Sequence, residues 1–319
     1  MNIRCLLFFI LLFAPSFLFS KIGNIEYRVA QGAWTKKADF PGSSRNYGLG
    51  FSIGKKGYYG MGQKQAGLFV YKSYTDMWEY DSEKNIWTQK ADFPGDGRLG
   101  TKGFLVNDKI YVGFGYVIAP YGPTAGSNVY QGDLYEFDPA LNKWSKKNDR
   151  ELDGGSIFFT IKDTVYALNV EFRILRKYNA STDTWTRNNW TKKDIAPKYR
   201  NIIGDAIIFS IKEKEYIITA VKKNGNRINQ LWMFDPHTAK WSQKGDLPVA
   251  GSDTLNAFSV GEKGYVRRSG NEFLEYDPSL DVWTEKNEIP SERKYFSQAF
   301  VVGEKIYGFS QYEFWEFIP

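Results

Sequence analysis

Histidine and cysteine chemistry has little to work with in this chain. The sequence holds one histidine, His237, and one cysteine, Cys5. A Ser–His–Asp triad needs its histidine beside a nucleophile. His237 stands in the segment Asp235-Pro236-His237-Thr238, which reads as a solvated turn. A single histidine also falls short of a histidine-built zinc site. Asp81-Ser82-Glu83-Lys84-Asn85 is too short for a calcium-binding helix–loop–helix and lacks its closing glutamate ligand. It reads as a tight turn, since an Asp side chain bonds the backbone two residues on. No metal and no cofactor is expected.

Arginine is the residue type with a pattern. Arg45 and Arg98 follow Pro41 and Pro94 by four positions, and Arg200 and Arg293 follow Pro197 and Pro290 by three. The planar guanidinium fork suits carboxylates, phosphates and acidic sugars. The same arginines could instead bond backbone carbonyls of neighbouring segments. Two units break the series, one with Asp253 and one with Glu151-Leu152-Asp153-Gly154-Gly155. Tyr116, Tyr121, Tyr130 and Trp190 lie in longer inserts and could stack on a sugar or peptide.

These residues are carried by a repeat. Trp34-Thr35-Lys36-Lys37-Ala38-Asp39-Phe40-Pro41 returns as Trp87-Thr88-Gln89-Lys90-Ala91-Asp92-Phe93-Pro94, with looser copies at Trp144, Trp185, Trp241 and Trp283. A tyrosine after a polar turn follows each: Tyr58, Tyr111, Tyr166, Tyr216, Tyr265 and Tyr307. Four of the six Trp-to-Tyr spacings are 24 residues. An aromatic followed by Asp or Asn stands seven residues before each later Trp, as in Tyr80-Asp81 to Trp87. A fixed period of this size marks a repeat architecture.

Each unit reads as four strands. On the third strand, Trp232 and Phe234 alternate with Leu231 and Met233, giving two apolar faces. A sheet apolar on both faces is sandwiched between neighbours, as in a propeller blade. Six units of about 50 residues fill 32–319. The chain opens on a fourth strand at Trp34 and closes on a third strand around Trp315. The two ends are expected to pair and close the ring, leaving no bare sheet edge.

The order aromatic-Asp-Pro, Trp, Pro-x-x-Arg and Lys-x-Tyr resembles the kelch repeat, most of all the tandem kelch proteins exported by bacteria. The resemblance covers essentially residues 32–319 and implies an all-β, six-bladed kelch-type β-propeller. The kelch double glycine survives as Gly60-Met61-Gly62 and Gly113-Phe114-Gly115; elsewhere it is replaced, for example by Val266-Arg267-Arg268. Kelch domains commonly bind ligands at the mouth of the central channel. The resemblance therefore implies that Arg45, Arg98, Arg200, Arg293, Tyr116, Tyr121 and Trp190 line a loop face there. Galactose oxidase shares the kelch fold but relies on two histidines and a Cys–Tyr crosslink, which these residues cannot supply.

Two functions follow as expectations. The first is a non-catalytic module that binds protein or an acidic carbohydrate on that face. The second is a cofactor-free sugar mutarotase or epimerase resembling the bacterial sialic-acid mutarotase, which needs only a positioned carboxylate and an anion clamp. Asp205, Asp253 and Glu292 are candidate carboxylates.

Composition agrees with this frame. Seventeen per cent of the 319 residues are aromatic, and 30 Gly and 12 Pro punctuate them. The net charge is +6. No polybasic run marks a nucleic-acid partner. Arg4, the apolar run Leu6 to Phe19 and Ser20 read as a secretory signal over 1–20. The run is too short to span a membrane, which takes ~20 residues. A leader over 21–31 would follow. An exported protein is expected, periplasmic, cell-surface or secreted, and monomeric.

Overall fold

Each repeat unit folds as a four-stranded antiparallel sheet, and six such sheets form the body of the molecule. The structure is a computed structural model. It describes residues 18–22, 25–29, 32–67, 70–118, 127–149, 156–161, 164–169, 174–188, 206–223, 226–235, 238, 240–248, 254–268, 273–287, 296–310 and 313–319.

A hairpin comes first, β1 (Leu18–Ile22) against β2 (Ile25–Val29). It straddles the junction of Ser20 and Lys21 at which the sequence pattern places a cleavage. Then β3 (Ala33–Lys36) leads into blade 1, formed by β4 (Leu49–Ile53), β5 (Lys56–Gly60), β8 (Met77–Asp81) and β9 (Ile86–Lys90). Between β5 and β8 runs a two-stranded ribbon, β6 (Gln63–Gly67) and β7 (Val70–Ser73). Blade 2 repeats the plan with β10 (Lys102–Val106), β11 (Lys109–Gly113), β14 (Leu134–Asp138) and β15 (Lys143–Lys147), and a ribbon of β12 (Tyr116–Ile118) and β13 (Asn128–Tyr130).

Blade 3 is β16 (Ser156–Ile161), β17 (Thr164–Asn169), β18 (Ile174–Asn179) and β19 (Thr184–Asn188). Blade 4 is β20 (Ile207–Ile211), β21 (Lys214–Lys223), β22 (Asn226–Asp235) and β23 (Lys240–Gln243); its ribbon is the extension of β21 and β22 to ten residues each. Blade 5 is β24 (Thr254–Val260), β25 (Lys263–Arg268), β26 (Phe273–Asp277) and β27 (Val282–Lys286). Blade 6 is β28 (Phe296–Val302), β29 (Lys305–Ser310) and β30 (Glu313–Ile318), completed by β3 from the other end of the chain. Each first strand touches the next around the ring, and β28 returns to β4.

The ring closes as the sequence anticipates. Trp34 stands opposite Phe317 and Lys36 opposite Trp315 in the β3–β30 register. The Trp34 ring packs 4.8 Å from Phe317 and 5.7 Å from Phe273 of blade 5.

The landmark tryptophans explain their own spacing. Trp87 Nε1 donates to the Ala38 carbonyl, Trp144 Nε1 to that of Ala91 and Trp283 Nε1 to that of Gly245. Each acceptor lies four residues after the preceding unit's Trp. Its N–H is bound as well: Ala38 donates to Asn85 Oδ1, Ala91 to Asn142 Oδ1 and Gly245 to Asp281 Oδ1. Those three side chains sit two residues before a landmark Trp, at φ near 57, 50 and 56°. Asn and Asp tolerate this left-handed conformation better than bulkier residues. Gly32, at φ 78°, takes the same place before Trp34.

The turn aspartates are occupied as backbone acceptors. Asp81 Oδ1 receives the N–H groups of Glu83 and Lys84, and Asp277 Oδ1 those of Ser279 and Leu280. Among the described residues no helix is long and apolar enough to cross a membrane.

Candidate functional site

The connections from a fourth strand to the next first strand, and from second to third strands, emerge at one end of the propeller. Arg45 lies in the connection between β3 and β4. Its side chain is 1% exposed. Nε donates to the Ser43 carbonyl (2.9 Å) and Nη1 to the Met61 carbonyl (3.1 Å). Nη1 and Nη2 grip both carboxylate oxygens of Asp76, the second at 2.8 Å. The guanidinium carbon lies 4.2 Å from the Tyr74 ring centroid, and Asp76 also accepts the Trp78 indole proton at 2.7 Å.

Arg98 repeats this arrangement in blade 2. It donates to the carbonyls of Asp96 and Phe114 and grips Asp133 through Nη1 and Nη2. Burial pushes the Asp76 carboxyl up, but the hydrogen bonds and charge of Arg45 outweigh it and hold the group below its ordinary value.

The glycine pairs make these clamps possible. Met61 and Gly62 adopt φ of 54 and 84°, and Phe114 and Gly115 φ of 56 and 85°. That bend turns the Met61 and Phe114 carbonyls toward the arginines. A Cβ on Gly60 would lie 2.4 Å from the Asp76 carbonyl oxygen, and one on Gly113 would lie 2.1 Å from that of Asp133. The connecting loop then bridges to the ribbon, Asn46 to Gln63 and Leu99 to Tyr116. Each clamp therefore pins the root of a ribbon.

Of the two alternatives the sequence leaves for Arg45 and Arg98, the structure shows the bonded one. Arg45 and Arg98 are at the loop face, but their forks are committed to Asp76 and Asp133 and offer no free bidentate edge. Arg200, Arg293, Tyr121 and Trp190 lie outside the described residues, as do His237, Asp205, Asp253 and Glu292. Tyr116 is half-buried at the start of β12, its ring 5.7 Å from that of Tyr130.

Sequence reasoning missed a polar group between blades 5 and 6. Arg267 stands two residues after Tyr265, where blades 1 and 2 carry Gly60 and Gly113, and it is 4% exposed. It lies opposite Asn256 in the register, and Asn256 Nδ2 donates to Gln298 Oε1 over 2.7 Å, joining β24 to β28. Burial lowers Arg267 to about 10, so it stays charged at neutral pH. The signal was the replacement of Gly-x-Gly, counted from the landmark tyrosine, by Arg267-Arg268-Ser269.

Most described inner carboxylates are already engaged. Glu79, Glu136, Glu275 and Glu316 accept the hydroxyls of Tyr58, Tyr111, Tyr265 and Tyr307, each from the directly opposed position. Lys90, Lys147, Lys286 and Lys37 add an ion pair to each. Burial first, then the glutamate bond, pushes all four phenols up. These groups lock the blades and are poor candidates for proton transfer. Glu215 differs. Burial raises it to about 7, against the lowering effect of the Ser210 hydroxyl, which donates at 2.6 Å. It sits beside the β20–β21 turn, at the end opposite the ribbons.

Sheet order, ring closure and the loop-face geometry define a kelch-like six-bladed β-propeller. No protein-family model matches the chain. Among solved structures it is similar to that of YjhT, with a TM-score of 0.64 and 15% identity over 87% of this chain and 95% of that one. Among curated proteins, N-acetylneuraminate epimerase of Yersinia enterocolitica is 24% identical over 185 residues. That match covers 47% of this chain and 47% of the epimerase, so the chain spans about half the length of the curated relative.

Proposed function

We propose that this propeller is a cofactor-free epimerase, or mutarotase, of an acidic sugar of the N-acetylneuraminate kind, working at the loop face. One observation carries the reading: the 185-residue match to N-acetylneuraminate epimerase. The likeness to YjhT over 87% of the chain supports the scaffold on which that match lies.

The chemistry asks little of a protein. Inversion at an anomeric carbon proceeds when a base takes the anomeric hydroxyl proton, the ring C–O bond breaks and the ring oxygen is protonated. The open-chain ketone then recloses on its other face. A carboxylate and a cation that holds the sugar acid suffice, and general acid–base catalysis of this kind contributes typically ~10²–10⁴-fold. Arg200 and Arg293 are the proposed anion clamp, since Arg45 and Arg98 are committed to aspartates. Saturation-transfer NMR on N-acetylneuraminate tests the reading. Purified protein should speed exchange between anomers at catalytic ratios, and exchange at the uncatalysed rate would overturn it.

A second reading is a non-catalytic module for protein or acidic glycan. It is favoured by the closed Arg45 and Arg98 clamps and by exposed ribbon residues such as Tyr130. Sugar binding without anomer exchange in the same samples would select it. Export belongs to both readings and rests on the run Leu6 to Phe19. Fractionation of cells that produce the full chain checks it.

A further inference from the structure

Three bulky apolar or aromatic side chains among the described residues stand at left-handed backbone angles: Tyr47 at φ 56°, Met61 at 54° and Phe114 at 56°. A Cβ crowds the following carbonyl in that conformation, so such a residue is an outlier that the surrounding structure must enforce. Met61 and Phe114 are 1% and 4% exposed, and their bend turns a carbonyl onto Arg45 or Arg98. Core burial and the clamps account for both. Tyr47 is 70% exposed. Among the described residues no ring and no hydrogen-bonding group engages its side chain.

The loop enforces the angle from both sides. Just before Tyr47, Asn46 and Gln63 exchange two backbone hydrogen bonds, at 2.7 and 2.9 Å. Just after it, Gly48 lies against the Tyr59 ring, where a Cβ would come within 2.6 Å. Gly62 touches both flanks: its Cβ would lie 2.7 Å from the Asn46 carbonyl oxygen and 2.8 Å from the Gly48 nitrogen. Blade 2 builds the same loop with the same bridge, Leu99 to Tyr116, and puts Gly100 at the matching position, φ 64°. Glycine meets that backbone requirement without strain. Folding therefore explains the angle at position 47 and does not explain the tyrosine.

Tyr47 follows the clamped Arg45 by two residues and precedes β4 by two. The first strands meet around the ring, so Tyr47 stands at the mouth of the channel. We propose that Tyr47 is the substrate-stacking residue of the loop face, its ring packed against the apolar C–H face of the closed pyranose. The inference rests on the epimerase reading and names the part of that site an anion clamp leaves open, the grip on the sugar ring. An exposed ring on a rigid backbone loses little freedom on binding, which suits it to the role. Both anomers are closed rings with such a face, so the contact binds substrate and product alike. It lowers the sugar concentration the protein needs without speeding the chemistry.

Full-length wild type, Tyr47→Asn and Tyr47→Phe, compared by NMR on N-acetylneuraminate and by thermal unfolding, test it. Asn tolerates the left-handed angle and carries no ring. Tyr47→Asn should raise KM for anomer exchange about three- to tenfold and leave kcat within about twofold. Its thermal midpoint should rise by about 2 °C, because strain is relieved where no packing is lost. Tyr47→Phe keeps both the ring and the strain and should match wild type in all three quantities. Stability and affinity moving in opposite directions is what a purely structural tyrosine would not show. An unchanged KM in Tyr47→Asn would overturn the proposal, and so would a lowered midpoint, which would make the ring a packing element. Saturation-transfer difference on the sugar ring protons reads binding without turnover. Wild type that binds without exchange, with the signal lost in Tyr47→Asn, sinks the epimerase reading and leaves the stacking contact standing. Wild type that exchanges at the same KM as Tyr47→Asn sinks this inference alone. Wild type that neither binds nor exchanges sinks both.

Discussion

Trp34 donates its indole Nε1 proton to the backbone carbonyl of Asn287 over 2.9 Å, across 253 positions of chain. Asn287 answers through Nδ2 to the Gly32 carbonyl at 3.1 Å. At Trp87, Trp144 and Trp283 the same indole-to-carbonyl bond joins units that the chain already links in sequence. Here it holds the two ends of the fold together, alongside the β3–β30 ladder.

Trp34→Ala should therefore cost at least the ~3–5 kcal/mol of a large-to-small core change. Trp34→Phe keeps most of the packing on Phe317 and Phe273 but removes the donor, and should cost about 1 kcal/mol. Urea unfolding followed by circular dichroism measures both. An unchanged midpoint for Trp34→Ala would show that the seam contributes nothing to stability.

The Arg45–Asp76 pair sets up the next expectation. Asp76→Asn leaves a guanidinium with 1% exposure facing a neutral amide. Removing one partner of a buried pair typically costs ~3–5 kcal/mol. Arg45→Lys should also destabilise, because an ammonium cannot reproduce two parallel bonds. The pH dependence has a defined sign. The Asp76 carboxyl is held below its ordinary value, so its contribution is present above about pH 4 and is lost as pH falls through its folded value. Acid unfolding of the wild type and Asp76→Asn checks this, and the variant should lose less stability on acidification.

Much of this was legible in the sequence. The Trp, Tyr and aromatic-Asp landmarks define six four-stranded units because a landmark repeats one physical job, as the carbonyl bonds of Trp34, Trp87, Trp144 and Trp283 show, although the buried Trp185 indole makes no such bond. The ring seam was legible because the chain begins on one strand type and ends on another. The site was less so. Arg45 and Arg98 stand out by spacing, and Gly60-Met61-Gly62 and Gly113-Phe114-Gly115 stand out by composition, but nothing local says that they form one device. The missing link was Asp76 and Asp133, each four residues before the aromatic of its third strand. A bidentate pair joins residues 31 and 35 positions apart, a relation that only the folded backbone reveals. Arg267 was hidden for the same reason: the register that sets it opposite Asn256 exists only in the folded sheet.

The glycine at the clamp yields a sharper test. Gly113→Ala places a Cβ 2.1 Å from a backbone oxygen of residue 133, which cannot rotate away. Overpacking of this kind costs typically ~1–3 kcal/mol, and the clamp at Arg98 should loosen with it. Gly54→Asn is the comparison. Gly54 has φ 57° and nothing within 4 Å of a built Cβ, and Asn tolerates that conformation. Thermal unfolding should fall for the first variant and stay nearly level for the second. Equal midpoints would mean that the backbone gives way at Gly113.

Glu215 closes the set because its pH dependence runs the other way. The residue precedes the landmark Tyr216. At the matching position blades 1 and 5 carry Gly57 and Gly264, each against a phenylalanine ring of the preceding blade. A carboxyl in such a place is desolvated, and its value rises to about 7. Folded protein then holds a proton that the unfolded chain has already released. Stability should fall as pH rises from the ordinary glutamate value toward 7, and level off above it. The shift corresponds to roughly 3 kcal/mol across that window. Glu215→Gln keeps the shape and the bond with Ser210 but cannot ionise, so its stability should stay flat over the same range and exceed wild type at about pH 8. Urea midpoints of both proteins between about pH 5 and 8 decide the matter, and parallel curves would show that Glu215 is ionised in the folded state without penalty.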